Sequence, residues 1–383
     1  MMKTRRSKPP LPGTIGIPAR PALPAILAVL LLITLAAQHL DATAVTVTKS
    51  VREEPRAAQA NKAKPSSAQG EPEKKKAEWI EQTLDYGIQD ERIVAINRIP
   101  LIKDSALRSK LVRKLIGILE KEDDAGVLLK GITILSEMKE TGAVPLMVRK
   151  LDHLSEDVRI GAVYGLKNLK ALSAKERLIG LLRTQDMSKI SNLTDALIDT
   201  LGEFNAKEAV PFAMEKIRDK KTDLTNRQNL TLFLGKVVSA DSKELLLGIY
   251  RDEEEDVTLR SYAVNSLSKM GIREIGAEIN RVIELIDSYD TKKRARYNNL
   301  YLYSVAALAR LGDPEAVPKL INALRSNNAR TRLKAIGLIK DFKEKRTIDI
   351  LQYKMKYDQN ARVRAEARKA LEEMGVDVKD DAR

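Results

Sequence analysis

The chain has no cysteine. Disulfides, zinc sites built on thiolates and lipid attachment through an N-terminal cysteine are therefore excluded. Histidine is almost as scarce: only His39 and His153 occur, which leaves little for imidazole-based proton transfer. Aromatic residues make up 4% of the 383 positions, with one Trp and four Phe. A core drawn mainly from Leu, Ile, Val and Ala suits stacked helices better than a compact globule. A phosphate loop is missing too, because Gly235-Lys236 has Leu230 where the earlier Gly would stand and no Ser or Thr follows. Nor is there a Gly-x-Ser-x-Gly nucleophile elbow.

Long apolar runs are also rare. The clearest is Ala25 to Ala37, 13 residues interrupted by Thr34, short of the roughly 20 that a spanning helix needs. Lys3, Arg5, Arg6, Lys8 and Arg20 precede it, and Ala42-Thr43-Ala44 follows with the small residues a signal peptidase prefers. Residues 1–44 read as an export signal with Val45 as the new N-terminus, a retained N-terminal membrane anchor being the alternative. Together with the lack of cysteine, this points to the periplasm or cell envelope of a bacterium. Residues 45–75 hold Pro55, Pro65, Pro72, Ser66 and Ser67 with no apolar stripe, the composition of a disordered polar linker. Residues 376–383 form a charged tail.

The net charge of +14 is unevenly spread. Residues 1–44 carry +4 and residues 45–78 carry +3, which leaves +7 on the rest, interspersed with acids. So mild an excess argues against nucleic acid as the partner.

Residues 76–375 repeat themselves. The last apolar residues of successive helices, Met138, Leu169, Leu201, Leu234, Met270, Leu311, Phe342 and Met374, are spaced 31, 32, 33, 36, 41, 31 and 32 apart. Such a period marks a repeat array. Within one unit, Val158, Ala162, Leu166 and Leu169 fall on one helical face. Gly202, Gly271, Gly312 and Gly375 are placed to end the first helix of their units. Ser173-Ala174-Lys175-Glu176 is a capping box for a second helix, and Asp313-Pro314 is an N-cap followed by proline at the first helical position.

The phrase Leu311-Gly312-Asp313-Pro314-Glu315-Ala316-Val317-Pro318-Lys319-Leu320 resembles the signature of bacterial HEAT-repeat proteins. Gly142-Ala143-Val144-Pro145-Leu146 and Glu208-Ala209-Val210-Pro211-Phe212 echo it. Unit openings such as Asp157-Val158-Arg159, Thr258-Leu259-Arg260, Thr331-Arg332 and Val363-Arg364 also match. The resemblance implies an all-α fold, a right-handed α-solenoid of about eight to nine helical hairpins. It further implies a concave docking surface lined by the second helices, with each opening Arg paired to an acid of a neighbouring unit. It says little about function.

Local chemistry is sparse. His153 reads as a solvated loop residue. Asp252-Glu253-Glu254-Glu255-Asp256 lacks the spacing of a calcium loop and reads as a turn that caps the next helix. The most distinctive stretch runs from Tyr289 to Tyr303 in the largest unit. There Lys292, Lys293, Arg294, Arg296, Tyr297 and Tyr301 form a candidate binding cluster, since Tyr and Arg dominate binding hot spots.

The expectation is a non-catalytic scaffold without cofactor or metal that holds a protein partner in the cell envelope. Two rivals stand beside it. One is a binder of an anionic polymer or membrane surface, which requires a one-sided basic stripe. The other is an enzyme or enzyme accessory, because some HEAT-like families that resemble this architecture act as DNA glycosylases or pigment lyases.

Overall fold

Each apolar stripe in the repeat folds as a helix, and the stripes are buried against one another. The computed structural model describes residues 70–378. The export segment and residues 45–69 of the linker lie outside the described residues. Eighteen α-helices and no strand occur among the described residues, so the array is an all-α solenoid. A leading helix α1 (Gly70–Tyr86) starts six residues earlier than the sequence suggested. Its Glu73 carboxylate accepts the Lys103 amide at 2.9 Å and ties the helix to the stack.

Two rows of helices alternate along the chain. The first helices of the units are α2 (Gln89–Arg98), α4 (Ala125–Glu137), α6 (Glu156–Asn168), α8 (Asn192–Glu203), α10 (Leu224–Val237), α12 (Val257–Lys269), α14 (Thr291–Leu311), α16 (Ala329–Phe342) and α18 (Ala361–Glu373). The second helices are α3 (Ser105–Glu120), α5 (Val144–Lys150), α7 (Lys175–Arg183), α9 (Val210–Arg218), α11 (Lys243–Arg251), α13 (Gly276–Asp287), α15 (Ala316–Leu324) and α17 (Ile348–Tyr357). Each first helix packs closely on the first helices before and after it, whereas second helices scarcely touch one another. A stack that closes up along one row bends toward that row. The first helices therefore line the inner side, and the expectation that the second helices would do so is reversed.

From α4 onward the first helices end on a left-handed residue: Lys139, Lys170, Asn205, Val238, Gly271, Gly312, Lys343 and Gly375 all have positive φ. After six of them a backbone bond closes the helix end, as when the Ala171 amide donates to the Leu166 carbonyl and Val376 to Leu371. Measured between these residues, the period is 31, 35, 33, 33, 41, 31 and 32. Two expected ends were one turn early. Gly202 and Leu234-Gly235 lie inside α8 and α10, where a small residue permits close approach rather than a turn. A Cβ on Gly235 would meet Ser266 Oγ at 2.4 Å. The enlarged unit has no added loop. It is larger because α13 runs 12 residues and α14 runs 21.

The turn to the second helix is a 3-10 turn, as at Thr141–Ala143, Leu172–Ala174 and Lys207–Ala209. It changes how the second helix begins. The expected capping box at Ser173 does not form, because the turn runs into α7 and the Lys175 amide already bonds the Leu172 carbonyl. Asp313 likewise caps the turn, accepting the Glu315 amide at 2.9 Å, and α15 begins only at Ala316.

The recurring Arg bonds backbone carbonyls first, and the expected acid of a neighbouring unit is added at only some positions among the described residues. Arg159, Arg227, Arg260, Arg332 and Arg364 each stand eleven residues before the left-handed residue of their helix. Each donates to backbone carbonyls at the end of the preceding second helix or its turn: Arg159 to His153 and Leu154, Arg227 to Ile217, Arg260 to Tyr250, Arg332 to Ser326 and Asn327, Arg364 to Asp358 and Gln359. Carbonyls at a helix end lack intrahelical donors, so a guanidinium fork there satisfies what the backbone cannot. Arg227 and Arg332 add a carboxylate of the next turn, Glu255 and Asp358, both at 2.7 Å. In α14 the same register position is Tyr301.

Candidate binding groove

The inner row presents side chains in columns once the register is set by the left-handed residues. Two positions before the five from Asn205 to Lys343 stand Glu203, Lys236, Lys269, Arg310 and Asp341. Nine positions before stand Asn229, Tyr262, Tyr303 and Lys334. Between these columns runs a cleft of ≈ 600 Å³ across α10, α12, α14 and α16, bordered by Leu232, Lys236, Lys269, Tyr303, Leu333 and Lys334. A second cleft of ≈ 320 Å³ shares Leu232 and Lys236 and continues to Asp195 and Asp199 on α8 and Tyr164 on α6. The two make one groove along the inner helices.

Its carboxylates are mostly neutralised. Asp199 accepts from Lys167 and, at 2.7 Å, from Lys236, which also reaches Glu203 at 2.9 Å. Burial pushes the Asp199 carboxyl up, but the two ammonium groups outweigh it and hold it below the usual range. Asp341 is clamped by Arg310 at 2.7 Å and Lys269 at 3.2 Å. Arg310 also donates to Asn265 Oδ1 and Ser268 Oγ, so it links α12, α14 and α16. Asp195 differs: it is half-buried, burial raises its carboxyl above the usual value, and its side chain accepts the Asn229 amide at 2.7 Å with no cation paired to it among the described residues.

Aromatic side chains line the other column. Tyr262 and Tyr303 meet edge to face at 5.8 Å, and the Lys334 ammonium lies 5.0 Å from the Tyr303 ring centre. Burial, with Asp341 nearby, pushes the Tyr303 hydroxyl up to about 12. It therefore stays a hydrogen-bonding phenol at neutral pH.

The cluster expected from sequence is partly folded into the array itself. Lys292, Lys293, Arg294 and Arg296 are exposed on the first two turns of α14. Arg294 pairs with Asp287 at 2.6 Å and lies 5.7 Å from the Tyr301 ring. Lys293 stands over Tyr289 at 3.7 Å, and Tyr289 packs edge to face on Tyr297 at 5.2 Å. Tyr297 and Tyr301 are partly buried against the core. Of that stretch, Tyr303 reaches the groove. His153 serves a turn, its Nδ1 accepting the Ser155 amide at 3.1 Å. In the acidic run Glu255 binds Arg227 and Lys220, and Asp256 caps α12. Among the described residues no group of three or more His, Asp or Glu is placed to hold a metal ion.

The groove residues went unnoticed in sequence because each is a single position on a different helix. Their signal is the column spacing, and the early ends assigned at Leu201 and Leu234 shifted two helices by about one turn and hid it.

Comparison with known proteins agrees with the repeat and stops there. Residues 293–372 match the family model for HEAT repeats. No curated protein sequence matches the chain. Among solved structures, the complex of CpcE and CpcF of phycocyanin lyase from Nostoc sp. PCC7120 is 18% identical, covering 77% of this chain and 100% of that one at a TM-score of 0.35. Human deoxyhypusine hydroxylase in complex with glycerol is 15% identical, covering 81% and 99% at 0.29. An engineered protein is 14% identical, covering 74% and 96% at 0.20. At these scores no activity or partner is carried over.

Proposed function

We propose that the chain is a non-catalytic scaffold that receives a protein partner in the groove of its inner helices. The observation that carries this reading is the groove itself. Successive first helices contribute apolar floor (Leu232, Leu333), aromatic wall (Tyr303) and charged rim (Lys236, Lys269, Lys334) to one surface. That mixture is the composition of protein-binding surfaces. The rim alternates in sign, with Asp199, Glu203 and Asp341 set among the cations. A uniformly anionic polymer fits such a rim poorly, which disfavours the polymer reading. Export to the cell envelope, by a cleaved signal or a retained anchor in residues 1–44, belongs to the same proposal. Among the described residues no helix is long and apolar enough to cross a membrane.

Two exposed helical glycines give the test. Gly337 lies in the groove, Gly248 on a second helix, and a Cβ at either meets nothing within 4 Å. A photo-crosslinking residue placed at Gly337 should trap a discrete partner in native envelopes, and one at Gly248 should not. Equal trapping from both, or none from Gly337, would refute the groove as the docking face.

A further inference from the structure

The groove has a direction, and its charges say what kind of segment lies in it. Most of its ionisable groups are already paired: Asp199 with Lys167 and Lys236, Asp341 with Lys269 and Arg310. Three are not. At the α16 end, Arg330 is exposed, its backbone amide is held by Asn328, and its guanidinium has no partner among the described residues. Lys334, one turn on, has the Tyr303 ring and hydroxyl as neighbours and, among the described residues, no carboxylate in ion-pair range. At the α8 end, Asp195 is half-buried and its carboxylate meets an amide rather than a cation. A half-buried carboxylate without a cation is destabilised by desolvation, and a cationic ligand group placed there relieves it.

On the strength of the groove reading, we propose that the occupant is an extended peptide segment of a partner protein with opposite charges at its two ends. Its acidic residues would sit on Arg330 and Lys334, and a Lys or Arg would pair with Asp195. The stretch between lies over Leu232, Tyr303 and Leu333 and is apolar or neutral. Four helix-to-helix steps of about 8–10 Å separate α8 from α16, so an extended segment at roughly 3.3 Å per residue needs about ten to twelve residues. A polyanion satisfies the α16 end and is repelled at the α8 end, where a zwitterionic segment gains at both. Charge arranged in this way fixes the orientation of the segment as well as its identity.

The test is a random twelve-residue peptide library panned on the full chain, followed by binding measurements with the selected peptides. Acidic residues should be enriched at one end of the peptides and basic residues at the other. Arg330→Glu/Lys334→Glu should weaken a selected peptide about tenfold, and changing that peptide's acidic residues to Lys should restore binding. Asp195→Lys should act in the same way on the basic end. Arg330→Glu alone, at an exposed side chain, serves if the double variant melts early by circular dichroism. Selected peptides without polarity, or affinities indifferent to these reversals, would overturn the proposal. So would polyglutamate binding to the wild type as tightly as the selected peptides, because that marks a polyanion site. A partner trapped from Gly337 alongside any of these failures leaves the scaffold standing and removes only the polarity.

Discussion

The inner and outer rows of this solenoid are made from the same residue types and are held together differently. Inner helices approach closely, and polar groups are buried where they meet. Ser266 Oγ on α12 donates to the Thr231 carbonyl of α10 at 2.8 Å, and Arg260, 1% exposed, lies at the base of its layer. Outer helices are linked at the surface by exposed ion pairs such as Arg177–Asp152 and Arg251–Glu278. Buried polar contacts leave their partners stranded when removed, whereas exposed ones are replaced by water. The inner row should therefore carry the stability and fix the geometry of the groove, and the outer row should tolerate change.

The sharpest test of that contrast removes one arginine from each row. Arg260 donates Nε to the Tyr250 carbonyl at 3.1 Å, and its Nη1 has no hydrogen-bond partner. Truncation empties a core site and strands that carbonyl, so Arg260→Ala should destabilise by about 3 kcal/mol. Arg177→Ala, at a side chain 43% exposed, should change stability by less than about 0.5 kcal/mol. Both are read from urea unfolding midpoints. Similar losses from the two variants would mean that the rows share the load and the contrast is wrong. A gain from Arg260→Met with a loss from Arg260→Ala would show that Arg260 acts there through volume rather than charge.

Arg260 also shows how much could be read from the sequence. The Val-Arg and Leu-Arg openings announced a repeating element, and the all-α repeat followed from period and apolar spacing alone. What the guanidinium bonds to was not legible, since a backbone carbonyl has no sequence signature. Helix ends were legible where glycine takes the left-handed position, at Gly271, Gly312 and Gly375, and misplaced where Asn205 and Val238 take it. Those two ends decide which residues face the groove, so Glu203 and Lys236 could not be aligned with Lys269 and Asp341. The Tyr289–Tyr303 stretch stood out because its residues are contiguous. Contiguity along a helix spreads side chains around it, so Tyr297 and Tyr301 pack in the core and Tyr303 faces the groove.

Acid should weaken the junctions that tie one inner helix to the next turn. Glu255 is 9% exposed at its side chain and binds Arg227 and Lys220. Burial raises its carboxyl, but those hydrogen bonds prevail and hold it at about 2, against 4.5 for the free group. A carboxyl depressed on folding stabilises above its unfolded value and loses that contribution as pH falls toward the folded one. The window here is pH 4.5 to 2, and the loss across it is on the order of 2 kcal/mol. Asp358 beside Arg332 is depressed in the same sense. Thermal melts should hold steady from pH 7 to 5 and fall below 4.5, with a shallower fall in Glu255→Gln. An acid limb unchanged in that variant would assign acid sensitivity to other groups.

The smallest expected effects distinguish the rows by sign. A Cβ on Gly235 meets Ser266 Oγ at 2.4 Å and Ser266 Cα at 2.8 Å, and the latter is backbone that cannot swing aside. Gly235→Ala should therefore cost about 1–2 kcal/mol through forced separation of α10 and α12. Gly248 occupies a helix of the outer row with open space around it. Gly248→Ala should stabilise by about 0.5 kcal/mol, because alanine loses less backbone entropy in a helix than glycine. Opposite signs from one chemical change, read as melting temperatures, would mean that closeness of packing and not helix propensity governs the inner row. Gly235→Ala should also reduce trapping from Gly337, since α10 supplies Leu232 and Lys236 to the same groove. If stability falls and trapping does not, α10 and α12 can part without disturbing the surface that the partner uses.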